Sequence, residues 1–280
     1  MDHAPHPKTH LAPLRIADDT FVIQDHHGEG TPQVVHLNSM LIRGEQPVVV
    51  DTGGATNRDR YLADLFGLVE PEDVRWVFLS HDDPDHHGNL AAVMDACPNA
   101  TLLTSWFAMD RLACEALPVP PTRWRWLALG EALDIGDREI VPLAAPLYDS
   151  PATQALFDTR TRAYWAADGF SAPVPAPTYD AAELPLDEWV AGFHLFQQWN
   201  SPWVTEIDRA RWQRTVDAFA ALDVGVVATG HGPVVRDDRI AAGIDVLRQL
   251  PDLPFAPQPG QAVLDQIVAG MTAEAAPAPA

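Results

Sequence analysis

A chain of 280 residues with 47% apolar content can bury one large core or two small ones, and no stretch approaches the roughly 20 consecutive apolar residues of a membrane span. A formal net charge of −21 argues against nucleic acid and anionic membrane surfaces as partners, since binding to either rests on Lys and Arg. Cys97 and Cys114 form neither a CxxC pair nor a disulfide framework, so both read as reduced thiols and zinc held by thiolate is excluded.

Residues 1–13 are Pro- and His-rich and read as a flexible tail. They lack the apolar core of a signal peptide, which gives the expectation of a cytoplasmic protein. Residues 20–23 and 34–42 read as strands around turn residues 25–32, consistent with a hairpin. The apolar run 47–50 predicts a buried strand ending in Asp51-Thr52-Gly53-Gly54, and residues 58–68 have helical spacing before the next strand at 76–79. A helix from 89, a strand at 101–104 and a helix over 106–116 repeat the pattern. After a Pro- and Trp-rich link, strands are expected at 140–143, 155–157 and 162–166. The Pro-rich stretch 171–185 reads as a surface loop. Residues 186–222 are helical in pattern, 224–229 form a last buried strand, and helices at 239–250 and 263–271 precede an Ala/Pro tail at 273–280. One domain over 14–272 is expected between the two tails.

The stretch Val77-Phe78-Leu79-Ser80-His81-Asp82-Asp83-Pro84-Asp85-His86-His87-Gly88 carries the chemistry. A strand-like run breaks into a dense polar cluster, and helical patterning resumes after the glycine. Imidazole and carboxylate are the non-thiolate ligands that first-row metals take from proteins, and here they stand at His81, Asp83, Asp85 and His86. Asp82 is expected to face solvent. Asp51, His81, Asp168 and His231 each follow a buried strand run, and Asp149 sits in a loop after another. In α/β architectures the loops at one end of the sheet converge on the ligand site.

In order and spacing these residues resemble the metallo-β-lactamase fold and, within it, the lactamase-like di-iron domain of flavodiiron proteins. The family signature is an Asp after an early strand, a His-x-His-x-Asp-His loop, a later His two residues before a Pro, an Asp after a strand and a His near the end. The counterparts are Asp51, His81 to His86, Asp149 in Tyr148-Asp149-Ser150-Pro151, Asp168 and His231, and the resemblance covers roughly residues 16–250. Residues 96–105 and 164–170 also resemble flavodiiron sequence. Two positions depart from the pattern. Asp83 stands where flavodiiron proteins have Glu, and Asp149 stands where the family has His.

The resemblance implies an α/β (α+β) chain folded as a four-layer αββα sandwich. It implies two metal ions: one on His81, Asp83 and Asp149, the other on Asp85, His86 and His231, with Asp168 bridging. Asp51, His87 and Tyr148 would support these ligands from behind, and no catalytic residue is expected beyond the metal site. Among the aromatic residues, Trp165 and Phe170 neighbour ligands in sequence, and Trp199 and Trp203 belong to a stretch able to cover the site. Oxygen-rich ligation favours iron, with manganese or zinc as alternatives, and four carboxylates balance two divalent ions. Only 49 residues follow His231, too few for a flavodoxin-like domain of on the order of 100 residues. FMN is therefore not expected in this chain, and an external donor (a reductase, rubredoxin-like protein or flavoprotein) would supply electrons; a homodimer is compatible. The implied function is a non-haem di-iron protein that binds or reduces O2, NO or a peroxide. The alternatives are a binuclear hydrolase of esters, lactams, thioesters or phosphodiesters and a metal or O2 sensor without turnover.

Overall fold

The computed structural model describes residues 9–29, 31, 33–115, 119–254 and 257–274. Of the tails expected at 1–13 and 273–280, residues 1–8 and 275–280 lie outside the described residues, and 273–274 belong to the last helix. Strands β1 (Leu14–Ala17), β2 (Thr20–Ile23), β3 (His26–His27), β4 (Val35–His36), β5 (Ser39–Ile42) and β6 (Val48–Val50) come first, followed by α1 (Arg58–Phe66) and β7 (Trp76–Phe78). The short α2 (Pro84–His87), α3 (Leu90–Ala96), β8 (Thr101–Thr104), α4 (Trp106–Cys114) and β9 (Trp124–Trp126) complete the first half. The second half runs through β10 (Leu133–Asp134), β11 (Glu139–Ala144), β12 (Gln154–Asp158), β13 (Ala163–Trp165), α5 (Leu186–Asn200), α6 (Arg209–Ala220), β14 (Val226–Ala228), β15 (Val235–Arg236), α7 (Asp238–Gln249) and α8 (Gln261–Glu274).

Two sheets form, one ordered β1-β2-β5-β6-β7-β8-β9 and the other β10 through β15 in chain order, beside the small β3-β4 ribbon. The alternation of side chains along each strand decides the layers. Val48, Val50, Phe78 and Leu103 point from the first sheet into the space between sheets, where they meet Leu156, Trp165 and Ala228 of the second. Their neighbours Val49, Val77, Leu79 and Leu102 pack on the other face against Tyr61 and Leu65 of α1, Leu90 and Val93 of α3 and Leu112 of α4. Tyr164 and Val227 of the second sheet likewise turn outward onto Trp189 and Phe193 of α5, Trp212 and Phe219 of α6 and Leu247 of α7. The result is the four-layer αββα sandwich. Each large apolar side chain buried here contributes about 1.5–3 kcal/mol.

Strands β6 through β9 run parallel, as do β13 and β14. Within each sheet the C-terminal ends therefore lie at one edge, bringing Asp51 next to His81 and Asp168 next to His231, and the two pairs meet across the sheets. Three sequence expectations needed correction. The single strand expected at 34–42 is split between β4 and β5, because Leu37 N–H is drawn to Asp25 O and the Asn38 side chain to Thr229 O and Gly232 O. The link after α4 contains two strands, β9 and β10. The helical run 186–222 breaks between α5 and α6, where Pro202 starts a 3-10 turn and Asp208 caps α6 through the Arg211 N–H.

At the opposite edge, the buried Arg138 guanidinium ties the sheets together. It donates to Asp19, to Asp137 at 2.5 Å and to Asp158 at 3.0 Å. Hydrogen bonding to Arg138 holds Asp19 below the usual carboxylate range and Asp137 down at about 2. A depressed folded-state pKa contributes stability that is present above the unfolded value of 3.8 and lost as pH falls through about 2. In metal-free protein, the Tm difference between wild type and Asp137→Asn should therefore be present at about pH 5 and vanish toward about pH 2. A pH-independent difference in thermal scans would contradict this.

Candidate metal centre

The site is built on a single buried carboxylate behind the ligands. Asp51, just past β6, is fully buried with φ 53°, a left-handed conformation that Asp tolerates better than most residues. It accepts hydrogen bonds from Ser80 N at 2.7 Å and Ser80 Oγ at 2.6 Å, fixing the exit of β7, and from Trp165 Nε1 at 2.9 Å across the sheets. Its Oδ2 also lies 2.8 Å from His86 Nδ1. That contact assigns the His86 proton to Nδ1 and turns its Nε2 lone pair inward.

His231 is oriented in the same way by a backbone group. Its Nδ1–H donates to His36 O at 2.9 Å, while Ser171 Oγ accepts its backbone N–H at 3.2 Å. The Nε2 atoms of His86 and His231 then face each other at 3.2 Å. Two unprotonated nitrogens at that distance repel, so either a metal ion or a proton shared with Asp168 must stand beside them. Gly230 permits the approach, since a Cβ there would stand 2.7 Å from His86 Cε1.

Asp168 occupies the centre. Its Oδ1 lies 3.0 Å from His86 Nε2 and 3.3 Å from His231 Nε2, and its Oδ2 is 3.7 Å from His81 Nε2. Residues on either side are held in left-handed conformations, Ala167 at φ 49° and Phe170 at φ 63°, a clustering of backbone strain usual at functional sites. From α5, Gln197 Nε2 donates to Asp168 O at 2.8 Å and Asn200 Nδ2 to Asp168 Oδ2 at 3.2 Å. His81 is buried, with Nδ1 3.0 Å from Ser80 Oγ and an Nε2 that has no hydrogen-bond partner. Asp149 Oδ1 is 3.9 Å from that Nε2, and Asp85 Oδ2 is 3.5 Å from His231 Nε2. Ligating atoms of His81, Asp83 and Asp149, of Asp85, His86 and His231, and of His81, His86 and Asp168 each lie within 4.8 Å of one another. The buried, partnerless Nε2 and the facing imidazoles fit a pair of divalent cations.

The electrostatics agree. Burial alone would push Asp168 up, but His81, His231 and His86 outweigh it and hold the carboxyl well below its usual range. Burial would also lower His86 and His231, yet Asp168 beside them raises both. Burial, then His86, lowers His81. Asp149 is pushed up to about 7 by burial and by the carboxylates of Asp168 and Asp83, a crowding of negative charge that cations would relieve.

All seven residues proposed from sequence as ligands thus meet in one cluster. Two residues expected behind them do not touch it. His87 turns its Nε2 to Glu115, 3.3 Å away, because it is one residue past His86 on α2 and points to the other side. The Tyr148 ring is partly exposed and stacks on Trp203 at 4.6 Å between centroids; its backbone carbonyl, not its side chain, anchors the loop by accepting from Trp203 Nε1 at 2.7 Å and Ser201 Oγ at 3.1 Å. Asp82, expected in solvent, is buried and pairs with Arg111 at 2.5 Å. Ser80, Gln197 and Asn200 carry no motif of their own, though Ser80 adjoins His81. Above the cluster opens a cavity of about 320 Å³ walled by Val35, Pro173, Phe196 and Trp199. Phe196 packs on His231 at 5.3 Å between centroids.

A sequence profile described as ODP family beta lactamase matches residues 35–232. The chain is 38% identical to a diflavin flavoprotein of Nostoc sp. over 134 residues, 48% of this chain and 23% of the relative. It is 26% identical over 223 residues to the anaerobic nitric oxide reductase flavorubredoxin of Pectobacterium atrosepticum, covering 77% of this chain and 42% of the relative. The fold superposes on rubredoxin oxygen:oxidoreductase from Desulfovibrio gigas with a TM-score of 0.75 at 15% identity, over 86% of this chain and 61% of that one. The chain spans 23%, 34% and 39% of the length of the first three curated relatives it matches. Among the described residues, no helix is long and apolar enough to cross a membrane.

Proposed function

The chain belongs to the ODP family of beta lactamases, and from that membership we propose that it is a non-haem di-iron protein that binds or reduces a small oxidant: O2, NO or a peroxide. His81, Asp83 and Asp149 would hold one ion, Asp85, His86 and His231 the other, with Asp168 between them. The observation that carries this reading is the set of inward imidazole nitrogens, the partnerless Nε2 of His81 and the 3.2 Å approach of His86 to His231, around one shared carboxylate. Four carboxylates among seven ligands suit iron or manganese better than a site built for zinc. When bound, a pair of ferrous ions would supply two electrons to the oxidant.

The protein's own contribution is orientation and exclusion of water. Asp51 and His36 O fix the tautomers of His86 and His231. Asn200 and Gln197 hold Asp168 from α5. Phe196 and Trp199 form an apolar wall over the centre, where a small uncharged oxidant meets little competition from ordered water. Electrons would come from a separate donor, a reductase, rubredoxin-like protein or flavoprotein; the relatives named as a flavorubredoxin and as rubredoxin oxygen:oxidoreductase support that class. The site's depth below a cavity of about 320 Å³ favours one further reading, a binuclear hydrolase of small organic substrates.

Stopped-flow mixing separates the two. Iron-loaded protein, reduced without oxygen and then mixed with O2, should develop near-ultraviolet ferric absorbance in one burst, and should consume further O2 only when a reductase is added together with a reductant that feeds it electrons. No absorbance change, together with hydrolysis of ester, lactam or phosphodiester probes far above the buffer rate, would overturn the redox reading. Zinc-loaded protein serves as the control, since zinc has no redox chemistry.

A further inference from the structure

We propose that Arg111 is a positioning residue for the ion held by His81, Asp83 and Asp149, acting by clamping together the two loops that carry Asp83 and Asp149. The inference rests on the ligand assignment above.

Each of those ligands has a buried polar neighbour that takes no part in the cluster. Asp82 precedes Asp83 and is 3% exposed; Ser150 follows Asp149 and is 4% exposed. Arg111, reaching from α4, joins them: its Nε lies 2.5 Å from Asp82 Oδ2 and its Nη1 donates to Ser150 Oγ at 3.2 Å. Ser150 Oγ closes the triangle by donating to Asp82 Oδ1 at 3.4 Å, and it accepts from Ala152 N at 3.2 Å. Gln154 N also joins the loops by donating to Ser80 O at 2.9 Å, farther from the ligand tips, and the Asp83 and Asp149 carboxyls meet at the tips only by sharing a proton, a contact that a bound ion replaces.

A buried carboxylate needs its counter-charge, so Arg111 holds Asp82 inward and the loop with it. The geometry matters most at Asp149. Its oxygen stands 3.9 Å from His81 Nε2, and Asp is shorter than the His that the family places there, so the loop must be held inward for the carboxylate to reach an ion. His86 and His231 are fixed by other contacts, through Asp51 and His36 O respectively. Arg111 should therefore govern one position and leave the other alone.

Cobalt(II) titration of metal-free protein, followed by absorbance and equilibrium dialysis, reads the two positions separately. Wild type should bind two ions. In Arg111→Met one of the two steps should weaken about 10- to 100-fold, as is typical when a residue supporting a ligand is lost, while the other is unchanged. Arg111→Lys should fall between the two. Should Arg111→Met fail to fold by circular dichroism, Ser150→Ala, which keeps the Asp82–Arg111 pair, decides by the same criterion. Two unchanged steps, or equal weakening of both in a folded variant, overturn the proposal. Wild-type protein that binds fewer than two cobalt ions contradicts the ligand assignment itself and takes this proposal with it.

Discussion

Replacing Asp168 by Ala should abolish tight metal binding at both positions at once. Its two oxygens face three imidazoles, at 3.0, 3.3 and 3.7 Å, so neither position keeps its central anion when the carboxylate goes. The metal-linked part of stability goes with it. A ligand present at a hundred times its Kd stabilises the folded state by about 2.7 kcal/mol, and for a chain of this size each kcal/mol moves Tm by roughly 2–4 °C. A chelator should lower the Tm of wild-type protein and leave that of Asp168→Ala unmoved. Wild-type metal content in the variant would sink the assignment of Asp168.

Asp51→Ala should have an effect as large but of a different kind, because it acts on the fold as well as on the ions. Four buried donors lose their acceptor: Ser80 N, Ser80 Oγ, Trp165 Nε1 and His86 Nδ1. Leaving buried partners unpaired around a lost buried charge costs about 3–5 kcal/mol, and an alanine at φ 53° adds left-handed strain. The destabilisation should persist in the presence of chelator, which separates this variant from Asp168→Ala. Metal affinity should fall too, since His86 loses the partner that fixes its ring. A chelator-dependent loss only, in thermal scans, would show that Asp51 serves the ions and not the junction of the sheets.

What could be read from sequence was whatever lies within one strand and the turn after it. The apolar runs at Val48–Val50 and Val226–Ala228 mark two buried strands, and the polar residues that follow each run place Asp51 and His231 just past the strands' C-terminal ends. Contacts between distant segments left no such mark. Asp82 looked solvated because the residue that buries it, Arg111, stands a full βα unit downstream, and Ser150 lies in the other half of the chain. His87, expected to support the ligands from behind, is carried away from them by the helical turn of α2 that separates its ring from that of His86. Trp124–Trp126 was hidden in a Pro-rich link because a three-residue edge strand is too short to show alternation. Gln197 and Asn200 fell in an amphipathic helix, where a polar residue facing a buried ligand looks like one facing water.

The most direct test is a metal count on protein produced in iron-replete and in zinc-replete media, with iron and zinc quantified per chain and the iron-loaded sample examined by Mössbauer spectroscopy. A binuclear centre on His81, Asp83, Asp85, His86, Asp149, Asp168 and His231 requires two iron ions per chain from iron-replete medium, with the spectrum of a coupled pair. One isolated iron, or zinc filling the site even when iron is in excess, would contradict it.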